Sequence, residues 1–346
     1  MKVRIEPVTA SLRAPFAAAY GRVTKRELLV LSLEDAEGRS GSGEAAPLEP
    51  YDGVSIAGVR SALEDCRGAL EDSDGHPHAE LLASCRERAV LPQAVAAIDL
   101  ALWDLAGRRS GRPVRELLGA ADREPVEVNA TITAEDRAGA ASEAAAIRGA
   151  GFGCLKLKVG IGDDAGRLAA VRAAAGPEMR IRVDANGVWS PEEAVAWLRA
   201  LAPAGIELCE EPTSGLEAIA AVAREAEVPV ALDESAALPG ALASRACSAV
   251  CLKVARCGGI SGLIEAATQA RRVGYDVYLA STLDGPLGIA AALHAAAAIA
   301  PERACGLGTL GLFGGRPAPL SPRHGRMPWP AGPGLGDGLL SWYLLD

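Results

Sequence analysis

A chain of 346 residues that is 49% hydrophobic can bury one large core, or a large one and a small one. Its formal charge of −9 excludes a broad nucleic-acid surface, which needs a basic face to displace counterions, and no RNA-binding motif is present. No uninterrupted apolar run is long enough to span a bilayer, so neither a nucleic-acid nor a membrane partner is expected.

The first six residues, Met1 to Glu6, carry charges at every second position and lack the apolar core of a signal peptide. Eight cysteines show no CxxC spacing, and several fall inside apolar runs, where a free thiol behaves as a small buried hydrophobe. Together these features predict a reducing, cytoplasmic compartment.

Residues 1–45 alternate in the strand manner and read as an antiparallel meander, with Val3 and Ile5, then residues 28–33, then a turn-rich return at Gly41 to Glu44. Between its strands, residues 15–26 read as a loop carrying Tyr20, Gly21, Arg22, Lys25 and Arg26. Such a loop could close over an anionic ligand, or be a solvated turn with ordinary surface charge. Residues 54–118 turn helical, with Ala94, Ile98, Ala101, Leu102 and Leu105 on one face, and complete a small α+β domain predicted over 1–122.

After Pro125 an apolar run, a polar turn and an alanine-rich helix repeat at a near-constant interval. The runs are 126–131, 154–159, 181–185, 206–210, 228–232, 249–254, 277–280 and 304–307. Eight runs at intervals of roughly 20 to 28 residues suit a parallel (β/α) barrel. An open doubly wound sheet usually carries a glycine-rich phosphate loop after its first strand, and Asn129 to Thr133 contains no glycine. The predicted fold class is therefore α/β, with a barrel over 123–312.

Barrel enzymes build their sites at the carboxyl ends of the strands. The second run delivers Lys156 and Lys158, the third Asp184 and Asn186, the fourth Glu210, the fifth Asp233 and Glu234, and the sixth Lys253. Only five lysines occur in the chain, and three of them lie here. Arginine stays charged in proteins, whereas a buried lysine can lose its proton, so lysine in an arginine-preferring chain points to a removable proton. Alternation puts Lys156 and Lys158 on one face.

Asp184, Glu210 and Asp233 lie 26 and 23 residues apart, close to one repeat each. Three carboxylates converging in a barrel mouth repel unless a cation sits among them, and hard oxygen ligands suit Mg2+, with Mn2+ as the substitute. Alternation does not separate Glu210 from Glu211, and Glu210 is preferred because it directly follows its apolar run. A bound magnesium can stabilise the enediolate left when a proton departs alpha to a carboxylate, and a lysine beside that carbon can take the proton. Lys156 beside Lys158, with a metal close by, is expected to depress the lysine pKa toward the working range. Lys253 arrives from across the mouth, so the pair suits either two-base epimerisation or one-base elimination.

These residues resemble the enolase superfamily, in its muconate-lactonizing subgroup. The motifs are Lys156-Leu157-Lys158, Val183-Asp184-Ala185-Asn186, Glu210-Glu211-Pro212, Asp233-Glu234-Ser235 and Leu252-Lys253-Val254, with Gly43 to Pro47 and Asp99 to Asp104 agreeing in the first domain. The resemblance implies an N-terminal α+β capping domain over a modified (β/α)7β TIM-type barrel, with residues 313–346 returning to the cap. It implies metal ligands at Asp184, Glu210 and Asp233, acid/base lysines at Lys158 and Lys253, and support from Lys156. The segment 15–26 becomes the loop that closes over substrate. Asn186, Glu234, Thr131, Ser281, Asp284 and Arg26 are expected at the substrate or just behind these groups.

Within the superfamily the segment Cys305-Gly-Leu-Gly-Thr-Leu310 and residues 333–336 are similar to o-succinylbenzoate synthases, dehydratases of menaquinone biosynthesis. The expected substrate is then a small dianionic carboxylate, which suits a loop bearing Arg22, Lys25 and Arg26. Dipeptide epimerases, N-succinylamino acid racemases and muconate cycloisomerases are the alternatives. Residues 305–313 hold no carboxylate for a substrate ammonium, which counts against dipeptides, and Asp284 stands where cycloisomerases usually have glutamate. The oligomeric state is not legible, and a homo-oligomer is compatible with the sequence.

Overall fold

The computed structural model describes every residue except Ala19, Tyr20, Asp122 and Asp346. Strands β1 (Lys2–Ala18), β2 (Gly21–Glu34) and β3 (Ser40–Ala45) form an antiparallel sheet in the order β1-β2-β3. The described residues of 15–26 are therefore strand and not loop. The ladder shifts register between Ser11 and Phe16 and then continues, pairing Phe16 with Val23 and Ala17 with Arg22, so the segment is the far end of a long hairpin. Tyr20 lies outside the described residues.

Helices α1 (Glu49–Asp52), α2 (Ile56–Glu71), α3 (His78–Arg88), α4 (Pro92–Ser110) and α5 (Val114–Leu117) complete the cap. Helix α4 is buried along most of its length and lies directly on β3. That approach requires Gly41 and Gly43. A Cβ on Gly43 would stand 2.0 Å from the Ala97 carbonyl oxygen, and one on Gly41 would stand 2.3 Å from that of Ala101.

The chain then enters the barrel. The short β4 (Val126–Glu127) pairs antiparallel with β12 (Arg326–Met327), and β5 (Ala130–Ile132) opens the main sheet. Strands β6 (Cys154–Lys158), β7 (Arg180–Asp184), β8 (Ile206–Glu210), β9 (Val230–Leu232), β10 (Ala249–Leu252) and β11 (Asp276–Leu279) follow in parallel, each beside the last. Helices α6 (Arg137–Gly149) to α12 (Pro286–Ile299) connect and follow them, all on the outside.

The eighth run closes the ring with less regular pairing than its composition suggested. Cys305 bridges to Val128 and Gly306 to Ala280, with the Gly306 amide donating to the Leu279 carbonyl at 2.7 Å. Glycines at 306 and 308 carry no side chains to pack, which weakens a strand at those positions. The architecture is the modified (β/α)7β barrel under an antiparallel cap. All eight cysteines are free, seven of them buried. Among the described residues no helix is long and apolar enough to cross a membrane.

Residues after β12 run back across the cap. The amides of Leu335 and Ser42 both donate to the buried Asp104 of α4, at 2.8 Å each, joining the C-terminal segment, β3 and α4 through one carboxylate. A second junction is made by Glu44 on β3. Its carboxyl accepts from the Gly285 amide at 2.9 Å and from the Tyr343 hydroxyl, and it faces Asp284 and the Arg26 guanidinium.

Burial and the neighbouring Asp284 push the Glu44 carboxyl up to about 8 from an ordinary 4.5. A carboxyl whose folded pKa lies above its unfolded one contributes stability that is fully present below the unfolded value and fades as pH rises toward the folded value. The thermal midpoint is accordingly expected to fall between pH 4.5 and about 8. Glu44→Gln should flatten that fall, and parallel pH profiles of the two proteins by scanning calorimetry check it.

Candidate active site

The parallel register sets the site. Lys158 stands beside Asp184, Asp184 beside Glu210 and Glu210 beside Ala231, so the last residues of β6, β7 and β8 lie in line. Asp233 follows β9 directly. Ligand oxygens of Asp184, Glu210 and Asp233 all lie within 4.8 Å of one another, and the three residues are 0%, 1% and 4% exposed.

Three lysines face these carboxylates. Lys156 Nζ is 2.7 Å from Asp184 Oδ2 and also pairs with Glu210. Lys158 Nζ is 2.6 Å from Asp184 Oδ2 and donates to Asn186 Oδ1 at 2.8 Å. Lys253 pairs with Asp233 from the other side. Both lysines expected at the reacting carbon thus flank the carboxylate group, one at each edge.

The carboxylates set the charge balance of the amines. Burial opposes the charged form of Lys156, yet the carboxylates of Asp184, Glu210 and Asp233 outweigh it and raise the amine well above its ordinary value. Lys253 behaves likewise: burial opposes its charge, and Asp233 overcomes that. Asp184 is correspondingly held low, against its burial, by Lys156 and Lys158. For Lys156 the contacting carboxylates of Asp184 and Glu210, and for Lys253 that of Asp233, outweigh burial and the like charge of a neighbouring lysine.

The ambiguity between the two glutamates resolves in geometry. Glu211 adopts φ +38° and turns away from the triad, accepting from the amides of Asp233 at 2.7 Å and Ser235 at 2.9 Å and from the Ser235 hydroxyl. It braces the turn that presents Asp233. Burial leads in pushing its carboxyl up to about 7.

Asn186 donates to Glu234 Oε1 at 2.8 Å while its own amide donates to Asp184 Oδ1 at 2.9 Å, so Asn186 ties Lys158, Asp184 and Glu234 together. Burial, then Asp233 and Asp184, push Glu234 up to about 8. Thr131 lines a small cavity of about 60 Å³ with Phe16, Lys156, Lys158, Glu210 and Tyr278. Ser281 pairs with Thr309 at 2.8 Å beside the closure of the barrel.

Asp284 and Arg26 lie buried at the seam between barrel and cap. Asp284 is 1% exposed and is held by Thr282 at the seam with the cap. Arg26 is buried and donates to the carbonyls of Pro47 at 2.6 Å, Ala46 at 3.1 Å and Leu283 at 3.2 Å, stitching cap to barrel. Of the two other cations in 15–26, Arg22 pairs with Glu135 at 2.8 Å and Lys25 with Glu27 at 3.4 Å, both at the exposed surface. What the hairpin does bring to the site is apolar. The Phe16 ring centroid lies 6.0 Å from Lys158 Nζ. Sequence reasoning also missed Tyr51, whose hydroxyl contacts both Lys253 and Asp233 from the cap.

Three buried carboxylates from adjacent strand ends form an all-oxygen donor set that fits a hard divalent cation, Mg2+ in the first instance. Such an ion, when bound, supplies positive charge that stabilises developing charge on a substrate carboxylate.

A barrel with carboxylates on successive strand ends, two flanking lysines and an antiparallel cap is the arrangement that comparison with known proteins places in a family. Residues 1–119 match the mandelate racemase / muconate lactonizing enzyme N-terminal domain, and residues 139–339 match the enolase C-terminal domain-like family. The chain belongs to the enolase superfamily. It is 31% identical to muconate cycloisomerase 1 of Rhodococcus opacus, over 95% of this chain and 94% of that one. The crystal structure of N-succinyl Arg/Lys racemase from Bacillus cereus superposes with a TM-score of 0.89 at 26% identity, covering 99% of this chain and 97% of the other. A dipeptide epimerase from Cytophaga hutchinsonii, solved with Mg and the dipeptide D-Ala-L-Val, gives 0.88 at 25% identity, covering 98% and 97%.

Proposed function

We propose that the protein is a magnesium-dependent racemase of N-acylated amino acids, working by proton transfer at the carbon alpha to a carboxylate. The carrying observation is the pair of buried lysines, Lys158 and Lys253, at opposite edges of the carboxylate triad. Relatives named as racemases and epimerases support the same class. Asp184, Glu210 and Asp233 hold the metal, and Mn2+ serves in its place. Lys158, as the neutral amine, takes the alpha proton from one face, and Lys253, as the ammonium, returns a proton to the other. The roles reverse for the second enantiomer. Asn186 holds Lys158 in line through its side-chain oxygen. The Phe16 ring stands beside that amine, its centroid 6.0 Å from the Lys158 nitrogen.

An acylated nitrogen is favoured over a free ammonium because residues 305–313, which close the barrel beside Asn129 and Ala280, carry no carboxylate. The same feature favours the second reading, o-succinylbenzoate synthase. There Lys158 would take the alpha proton and return it to the departing hydroxyl, with Lys253 remaining an ammonium that stabilises the intermediate.

One assay series separates the readings. Each enantiomer of several N-succinylamino acids is incubated with enzyme and Mg2+ and followed by polarimetry, beside a free dipeptide and the o-succinylbenzoate precursor. Racemisation of the N-succinyl compounds is the expected result. Dehydration of the precursor without racemisation would replace the first reading by the second, and turnover of the free dipeptide alone would remove both.

A further inference from the structure

The barrel supplies the lysines, but the cap reaches one of them. Tyr51 sits on the one-turn helix α1, and that turn is clamped on both sides. Asp52 accepts from the Leu48 amide at 3.1 Å, the Val54 amide at 3.0 Å and Nε2 of the buried Gln93 on α4 at 2.8 Å. Gly53 then ends the turn at φ +70°, in the left-handed region. Tyr51 is thereby directed inward over the end of β10.

Its hydroxyl makes three hydrogen bonds at the site. It accepts from Lys253 Nζ at 2.7 Å and from Arg256 Nη1 at 3.0 Å, and it donates to Asp233 Oδ1 at 3.0 Å. The ring also faces both cations, with Lys253 Nζ 4.7 Å and Arg256 Cζ 5.0 Å from its centroid. Arg256 is fixed in turn by the Glu234 carbonyl at 3.3 Å.

A lysine amine rides on four rotatable bonds, and proton transfer to one face of a carbon requires it held to a fraction of an ångström. Asp233 alone is a poor holder, because its oxygens also belong to the metal triad. A phenol can hold the amine without adding charge to it. We infer that Tyr51 is a positioning residue for Lys253, through which the seating of the cap aims one of the two bases. The inference rests on the reading of Lys253 as a proton-transfer group. Lys158 is held independently, by Asp184 and Asn186 and under Phe16, and no hydrogen bond runs from Tyr51 to it. The effect of losing the hydroxyl is therefore expected to fall chiefly on the face that Lys253 serves.

The test uses Tyr51→Phe in the magnesium-loaded enzyme, with two readouts. In deuterated water, loss of the alpha proton is followed separately for each enantiomer of an N-succinylamino acid, Lys253→Ala marking the enantiomer that Lys253 serves. Tyr51→Phe is expected to slow that enantiomer about tenfold or more, the weight of a hydrogen bond to a charged group, and to leave the other within about threefold. Independently of any substrate, acylation of each lysine by an activated ester is followed by peptide mass mapping. Lys253 is expected to react several-fold faster in the variant, with Lys158 unchanged. Equal slowing of both enantiomers, or unchanged labelling of Lys253, overturns the assignment. Wild-type enzyme that exchanges neither enantiomer overturns the racemase reading instead, and the labelling then decides the role of Tyr51 by itself.

Discussion

Lys158→Ala is expected to abolish racemisation, with kcat down by about 1000-fold or more, while still releasing the alpha proton of one enantiomer to solvent. Lys253→Ala should do the same for the opposite enantiomer. The prediction follows from position. Lys158 approaches the triad from the β6 edge through Asp184, and Lys253 approaches from the β10 edge through Asp233, so each amine has its own face. Removing one leaves the other able to take a proton and unable to pass the product through to inversion. Stereospecific exchange by mass spectrometry, with chiral chromatography of the same samples, checks both variants. A variant that loses exchange of both enantiomers alike would mean that the lysines act together on one face, as in the dehydratase mechanism.

Glu210→Gln should weaken Mg2+ binding by about 100-fold or more, since loss of a ligand exceeds the cost of losing a group that merely supports one. In the wild-type enzyme a chelator should remove activity, and added Mg2+ or Mn2+ should restore it. The electrostatics give the reason. Asp184, Glu210 and Asp233 are buried within 4.8 Å of one another, and Lys156, Lys158 and Lys253 pair with them. With these carboxylates holding a divalent cation, the ion would supply positive charge that the amines otherwise provide, leaving the amines available for proton transfer. Calorimetric titration with Mg2+ measures the affinity. Unaltered affinity in Glu210→Gln would move the metal away from the triad.

Much of this site could be read in the sequence because strand ends are local features. An apolar run followed by Lys, Asp or Glu reports both a strand and what it delivers, and parallel neighbours then place those residues side by side. The unread parts depend on packing between distant segments. Nothing near Tyr51 signals that its hydroxyl meets Lys253, 202 residues further on. Arg26 reads as a ligand-facing cation on a loop, but the hairpin continues through it and three backbone carbonyls of the cap and barrel take its donors. The hairpin is contributed to the site through Phe16 instead, and a single aromatic in an alternating strand carries no functional signature. The choice between Glu210 and Glu211 needed the positive φ at Glu211, which the dipeptide itself does not reveal.

The central claim is that two lysines face opposite sides of one metal-held carboxylate substrate. Its most direct test is the wild-type enzyme in deuterated water with Mg2+ and each pure enantiomer of an N-succinylamino acid. The account predicts deuterium at the alpha carbon from both starting enantiomers, with both products formed and no exchange when the metal is chelated. Exchange from a single enantiomer, without inversion, would contradict it.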